Sequence, residues 1–557
     1  NAETDISAQG QQMAALLQTQ GDAVGALAVL DAAVARTPGQ AQVWLALAGA
    51  QAAAGQAEAA LESFHRAISI EPGNLPAYGA LLNAHIAAGQ WAAAEETLAA
   101  ARQIAPGSYL VEVFAGRLLS AQLRWDEAET ALLAAVDQSP GRAEAHLALG
   151  DLLSGRLRYE EALVQYQLAQ RSDPLNLSPY LSMAAVHQTL GQPEQGQVLL
   201  EWAAELDRSS VEPLLALARL HGEQGQPAAQ QAALDAAAER ASGSLPVRQA
   251  RAAFFRSRGQ GAAALAELER GAAENPDSLE ARLALAAELI RQGQSEAAEA
   301  LYRQVLTTNQ TPSPAVLRGL AEAAEEAEDP AAALAFLEQA LAAAPTDVTT
   351  RLRLAGVLRA QGDINGALAH LAVAAEYGQG QGQVWLALAE AQAAAGQFAS
   401  ARAAYQQAIA VEPGYLPAYG TLIEVHVDAA QWKTAEEVLA AARQAAPGSH
   451  QVEIFAGGLY SEQARWAEAE AALLAAVEKA PGRAEGYFAL GNLYTTQARL
   501  REAIEMFRWA VQLNQRNDNY FVRFSGVYDR MGLPDEQQAN LMRSAYIAAV
   551  LGDEIEP

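Results

Sequence analysis

"QVWLALAGAQAAAGQ" occupies Gln42–Gln56, and "QVWLALAEAQAAAGQ" occupies Gln383–Gln397. The two stretches differ only where Gly49 becomes Glu390. Working outward, Trp44 answers Trp385, Trp91 answers Trp432 and Trp125 answers Trp466, each at a separation of 341 residues. The register holds without a gap, from "QGDAVGAL" at Gln20 against "QGDINGAL" at Gln361 to "SPGRAE" at Ser139 against "APGRAE" at Ala480. A block of roughly residues 7–174 is therefore written again as 348–515.

A shorter period lies inside the block. Pro38, Pro72, Pro106, Pro140 and Pro174 fall 34 residues apart. Twelve residues before each stands an alanine (Ala26, Ala60, Ala94, Ala128, Ala162), and five before stands another (Ala33, Ala67, Ala101, Ala135, Ala169). Eight before stands a large apolar residue: Leu30, Phe64, Leu98, Leu132 or Tyr166. The ladder returns at Pro413, Pro447 and Pro481. Each unit holds two apolar-periodic stretches split by a glycine turn, as at Gly55 and Gly89, which reads as helix, turn, helix, turn. Alanine suits places where two helix backbones approach closely. Proline lacks an amide donor and restricts its predecessor, so it closes the second helix.

Bulk properties narrow the classes. At 557 residues one compact core is not expected, and several domains or a repeat array are. With 51% hydrophobic and 6% aromatic residues, packed helices are favoured over disorder. A formal charge of −28 argues against nucleic acid or an anionic membrane as the main partner and favours neutral or basic protein segments. With no cysteine, disulfides, zinc ribbons, iron–sulfur clusters and thiol catalysis are excluded. No apolar run is long enough to span a bilayer. The chain opens at Asn1 without the basic start and apolar stretch of an intact signal peptide. That opening and the lack of cysteine lead us to expect an extracytoplasmic setting, periplasmic or cell-surface, after removal of an export signal.

The spaced residues resemble the tetratricopeptide repeat family. Its signature is carried in the second unit by Trp44, Leu47, Ala48, Gln51, Ala60, Phe64, Ala67 and Pro72. In the fifth unit it is carried by His146, Leu149, Gly150, Leu153, Ala162, Tyr166, Ala169 and Pro174, and in the fifteenth by Tyr487, Leu490, Gly491, Tyr494, Ala503, Phe507 and Ala510. The resemblance implies an all-α, right-handed superhelical solenoid of about sixteen 34-residue helix–turn–helix repeats. Frames start near residues 7, 41, 75, 109, 143, 177, 211, 245, 279, 314, 348, 382, 416, 450, 484 and 518. One step of 35, near Thr308–Pro314, makes the 341-residue offset ten units plus one residue. The expected organisation is a leader at 1–6, units 1–5 at 7–176, less regular units 6–10 at 177–347, and the duplicate units 11–15 at 348–517. A sixteenth unit with a capping helix, "ANLMRSAYIAAVLGDEIEP" from Ala539, closes the chain at 518–557. In the middle, Gly196 and Gln230 replace the expected alanine, and Arg208, Ser242 and Gln310 replace the expected proline. Packing there is expected to be looser or differently angled, marking a bend or a surface with its own partner, or recording simple drift.

Signals of chemistry are few. His85, His187, His221 and His426 share the eleventh place of their frames, lack HxxxH spacing, and read as packing or capping residues rather than metal ligands. Trp91, Trp125, Trp432 and Trp466, with Tyr159 and Phe398, recur at position 17 and read as structural pins ahead of ligand-stacking rings. "YGQGQGQ" at Tyr377–Gln383 lacks the GK[ST] ending of a phosphate loop and falls between units, so a turn is expected. "AEAAEEAED" at Ala321–Asp329 reads as a solvated helix face, or as an acidic docking patch. No Ser/His/Asp arrangement with a nucleophile elbow is present, and the sequons at Asn176 and Asn309 say little. No enzyme activity and no cofactor or metal are expected.

In the resembling family the first helices line a concave groove through positions 2, 5, 9, 12 and 13. The carried-over groove residues are Asn83, Arg117, Asp151, Arg219, Arg256, Glu390, Glu424 and Asp428. The lysine–asparagine clamp of chaperone-binding relatives is missing: Asn83 and Asn492 keep one asparagine, but Gly79 and Phe488 stand where its lysine partner belongs. An apolar floor with scattered charges suits a helix or extended segment of another protein. The resulting expectation is a non-catalytic protein–protein interaction scaffold that supports assembly of a larger complex. The alternative is a self-associating subunit of a filament, sheath or envelope layer, so a homo-oligomer is allowed.

Overall fold

The computed structural model describes residues 9–14, 17, 23–53, 57–275, 278–308, 313–514 and 518–531. The leader at 1–6, the turn at Gly55, the inserted residue and sequon around Asn309 and Gln310, and the cap from Ala539 lie outside the described residues. Among those described, every regular element is an α-helix, from Ala23–Arg36 to Asp518–Arg530. The helices come in pairs, such as Leu75–Ala87 with Trp91–Ile104, and Leu416–Asp428 with Trp432–Ala445. The chain is an all-α solenoid of stacked pairs.

The 34-residue frame explains the pairing. The alanine at position 20 is sealed wherever it occurs, as in Ala94, Ala128, Ala162 and Ala435, because the second helix meets the first there. Position 24 supplies the large side chain, and position 8 of the first helix is small in most repeats to receive it, Leu82 and Ile423 being exceptions. A Cβ on Gly150 would stand 2.6 Å from the Tyr166 ring, and one on Gly491 would stand 2.6 Å from the Phe507 ring. Leu132 and Leu473 fill the same space beside Gly116 and Gly457. In several repeats position 4 ties the pair to the one before it. Trp44 Nε1 donates to the Pro38 carbonyl at 3.0 Å, and Trp385 Nε1 donates to the Gln379 carbonyl at 2.9 Å, so the duplicated phrase is also a duplicated bond. Tyr180 and Tyr419 reach the Pro174 and Pro413 carbonyls in the same way.

The described turns inside the pairs share one geometry. The first helix ends with two bonds, seen at Gly89 N–H to Ile86 C=O and Gln90 N–H to His85 C=O, which require a left-handed residue at position 15. Glycine takes that place at Gly89 (φ 65°), Gly191 (φ 73°) and Gly225 (φ 66°), without a Cβ penalty. Leu123, Leu157, Glu328, Ala430, Ala464 and Ala498 hold it with φ between 53° and 62°, at a strain of about 1 kcal/mol or more each. Ala464→Gly and Ala498→Gly are therefore expected to stabilise the chain by about 1 kcal/mol apiece in urea denaturation. An unchanged or lower midpoint would contradict the turn assignment.

At the irregular middle positions the structure makes two different adjustments. At Gly196 the helices lie so close that a Cβ would sit 3.1 Å from the Ala184 carbonyl oxygen. At the other, Gln230 is accommodated because Gly222 faces it, a Cβ there falling 2.7 Å from Gln230 Nε2. Arg208 pairs with Glu205 in place of the proline. Within "YGQGQGQ", residues 378–381 are the turn between Ile364–Tyr377 and Gly382–Ala394.

Spatially the chain gathers into two compact units, each assembled from separated stretches. The first comprises residues 1–182, 241–248 and 268–396, and the second 183–240, 249–267 and 397–557. Within the second, the Gly448 N–H donates to the Thr189 carbonyl at 2.8 Å, and Gly225 meets Gly482 backbone to backbone. These compact units describe spatial grouping, whereas the blocks at 7–176, 177–347 and 348–517 describe sequence identity.

Candidate functional site

Position 8 of the first helix is buried wherever burial is described, whereas position 9 is exposed or half-buried in every repeat from Gly49 to Gly526. Folding thus buries one position and leaves its neighbour open to solvent. Six of the predicted residues (Asn83, Arg117, Asp151, Arg219, Glu390 and Glu424) occupy that open position, with Arg256 at position 12 and Asp428 at position 13. Asn83, Arg117, Asp151 and Glu390 belong to the first compact unit, and Arg219, Arg256, Glu424 and Asp428 to the second.

The structure joins some of these and neutralises others. Asp151 Oδ1 accepts from the Tyr166 hydroxyl at 2.9 Å, and Arg117 acts on the same carboxylate through space. Asp151 keeps access to solvent, yet protein surrounds it, and this desolvation pushes its carboxyl above the usual range despite Tyr166 and Arg117. Tyr166 is raised in turn, first by burial and then by the Asp151 charge, while Ser182 and Ser154 bond its hydroxyl. A raised carboxyl costs stability above its folded pKa, and the cost fades as pH falls through that value and is gone below the unfolded one. Asp151→Asn should therefore melt no lower than the wild type at neutral pH, with any advantage shrinking in acid. A melt that falls at neutral pH would contradict this.

Glu390, the one difference in the repeated phrase, accepts from Arg359 at 2.7 Å. The counterpart of Arg359 in the first copy is Gln18, so the added negative charge arrived with its own cation. Glu424 and Asp428 lie one turn apart on Leu416–Asp428; desolvation and then the Asp428 charge raise the Glu424 carboxyl. Their first-copy counterparts are Asn83 and Ala87, and here the second copy is more acidic.

Position 5 shows why the clamp lysine has no room at Gly79. A Cβ there would stand 2.6 Å from the Phe114 ring, and at the duplicate Gly420 it would stand 2.7 Å from Phe455. An aromatic ring from the next repeat fills the floor. Tyr166, at position 24, is a site neighbour that groove positions alone do not reveal, whereas Ser154 and Arg359 hold groove position 12 and were not among the carried-over residues. Comparing the two copies would have signalled Arg359, because it changes together with Glu390.

The histidines are engaged in the turns. Nδ1 of His85 lies 2.8 Å from Gln90 Oε1, and His187, His221 and His426 make the same contact with Gln192, Gln226 and Gln431. His85→Gln removes one such bond and is expected to cost no more than about 1.5 kcal/mol in the same denaturation assay. Among the described residues no three His, Asp or Glu side chains gather as a metal site, and no helix is long and apolar enough to cross a membrane.

No curated protein matched the chain. Similar solved structures include the APC/C heterotetramer Cut9–Hcn1 (14% identity, covering 87% of this chain and 96% of that one, TM-score 0.33). Naa15/Naa10 bound to HypK-THB is another (14%, 91% and 99%, TM-score 0.28), as is yeast Tom70 (12%, 80% and 97%, TM-score 0.40). Family profiles described as tetratricopeptide repeat match residues 12–74, 51–115, 115–176, 255–323, 324–391, 392–456 and 484–517. Those matches fall on the helix pairs whose buried position 8, alanine at position 20 and large position 24 are described above, and the chain belongs to the tetratricopeptide repeat family.

Proposed function

We propose that this chain is a non-catalytic scaffold that binds segments of other proteins along its first-helix faces and thereby supports assembly of a larger complex. The observation that carries the reading is position 9, which stays open to solvent in every described repeat while position 8 beside it is buried. Packing requires no particular side chain there, and the sequence places Asn83, Arg117, Asp151, Arg219 and Glu424 on otherwise repetitive helices. With a net charge of −28, neutral or basic segments are the favoured ligands. The absence of cysteine suits an extracytoplasmic setting, which belongs to the same proposal.

A second reading, self-association into a filament or layer, is favoured by one feature. On the second helix Pro193–Leu206, Val198 and Trp202 are 55% and 65% exposed and stand one turn apart. Light scattering across a concentration series separates the two. The scaffold reading expects a constant mass together with specific retention of other proteins from native lysate. Growth in mass that Trp202→Ser abolishes would favour self-assembly instead.

A further inference from the structure

The duplication offers an internal comparison between a filled site and an open one. A surface pocket of about 520 Å³ lies between the helices Trp91–Ile104, Tyr109–Ala121 and Trp125–Gln138. Moving its nine lining residues 341 positions along the chain changes only one. Glu95, Arg102, Gln122 and Arg124 return as Glu436, Arg443, Gln463 and Arg465, while Leu119 becomes Tyr460.

Tyr460 shows what this site accepts. Its ring lies beneath the Arg465 guanidinium, with Cζ 4.4 Å from the centroid, and its phenol interacts electrostatically with Arg443. Arg443 is held in place from behind by Glu453 at 2.9 Å. In the first copy both arginines remain, aligned by Glu127 and Glu112, but without the ring over them. Arg124 is 46% exposed against 35% for Arg465, and Arg102 is 52% exposed against 43% for Arg443. The next repeat repeats the contrast: Tyr494 lies beneath Arg499 at 4.1 Å, and its counterpart is Leu153 beside Arg158.

We propose that the pocket beside Leu119 binds a tyrosine side chain of a partner protein. The ring lies against the Arg124 guanidinium, and the phenol oxygen accepts from Arg102. Leucine is too short to cover Arg124 and offers Arg102 no acceptor, so the first copy keeps the recognition groups and lacks the ring that covers them. The proposal takes its class of partner from the scaffold reading. Its test uses a small molecule, so it can fail while the first-helix surface still binds protein, and the reverse.

The test is equilibrium dialysis and saturation-transfer NMR of the full chain with N-acetyl-L-tyrosinamide, using the phenylalanine and leucine analogues as comparators. The wild type is expected to show one saturable site that prefers the tyrosine derivative at least threefold over the phenylalanine one. Leu119→Tyr, which copies a side chain the second site already holds, should weaken binding at least tenfold without lowering the melting temperature. Tyr460→Leu should add a second equivalent site. Should Leu119→Tyr fail to fold, Arg124→Ala is the replacement variant and must also abolish binding. No saturable binding to the wild type, binding undiminished by Leu119→Tyr or Arg124→Ala, or equal affinity for the phenylalanine analogue would overturn the proposal.

Discussion

Replacing Ala401 with tryptophan is expected to cost more than about 3 kcal/mol and to melt part of the array ahead of the rest. Ala401 holds position 20 of its repeat, on the helix Phe398–Val411, and is 2% exposed. An indole at that point must displace the atoms that bury the alanine, because close-packed interiors hold no spare volume. Repeats touch mainly their neighbours, so the damage should appear as an early partial transition in circular dichroism. Ala60, 1% exposed at the same position of the first copy, should behave likewise. A shift no larger than that of His85→Gln would remove the packing assignment.

The second large effect is expected at Phe507→Ala, at about 3–5 kcal/mol. Phe507 is fully buried, with ring centroids 5.6 Å from Phe488 and 6.4 Å from Phe524. Its partner across the pair is Gly491, whose missing Cβ makes room for the ring. The two positions should therefore couple. Gly491→Ala is expected to destabilise the wild type by forcing a methyl into the ring, and to be tolerated once Phe507 is alanine. A double-mutant cycle should return an interaction of about 1 kcal/mol or more. Additive effects would mean that position 8 and position 24 do not meet as described.

The fold was legible because each helix contact recurs with the same chemistry at the same place. Ala60, Ala94, Ala128 and Ala162 are small for one reason, and Phe64, Leu98, Leu132 and Tyr166 are large for the complementary one. What the frame could not convey is how a residue at a given position is used. Gly79 falls on a groove position, yet Phe114 covers it. Glu390 looks like an added charge until Arg359 is placed beside it, and Asp151 until Tyr166 reaches it. Leu123 and Ala464 gave no composition signal for a left-handed turn, because the backbone bonds of the helix end impose it. Nor does a local period indicate that Thr189 meets Gly448, since that contact depends on rotations accumulated over many repeats.

The central claim is that partners bind the first-helix faces. Its most direct measurement is a titration of the retained partner protein against three forms of the chain matched for helicity and melting temperature. These are the wild type, a variant with Arg117→Glu and Arg219→Glu, and a variant with Val198→Ser and Trp202→Ser. We predict at least a tenfold loss of affinity for the arginine variant and no change for the second-helix variant. An unchanged affinity for the arginine variant, with loss confined to the Val198 and Trp202 substitutions, would contradict the account.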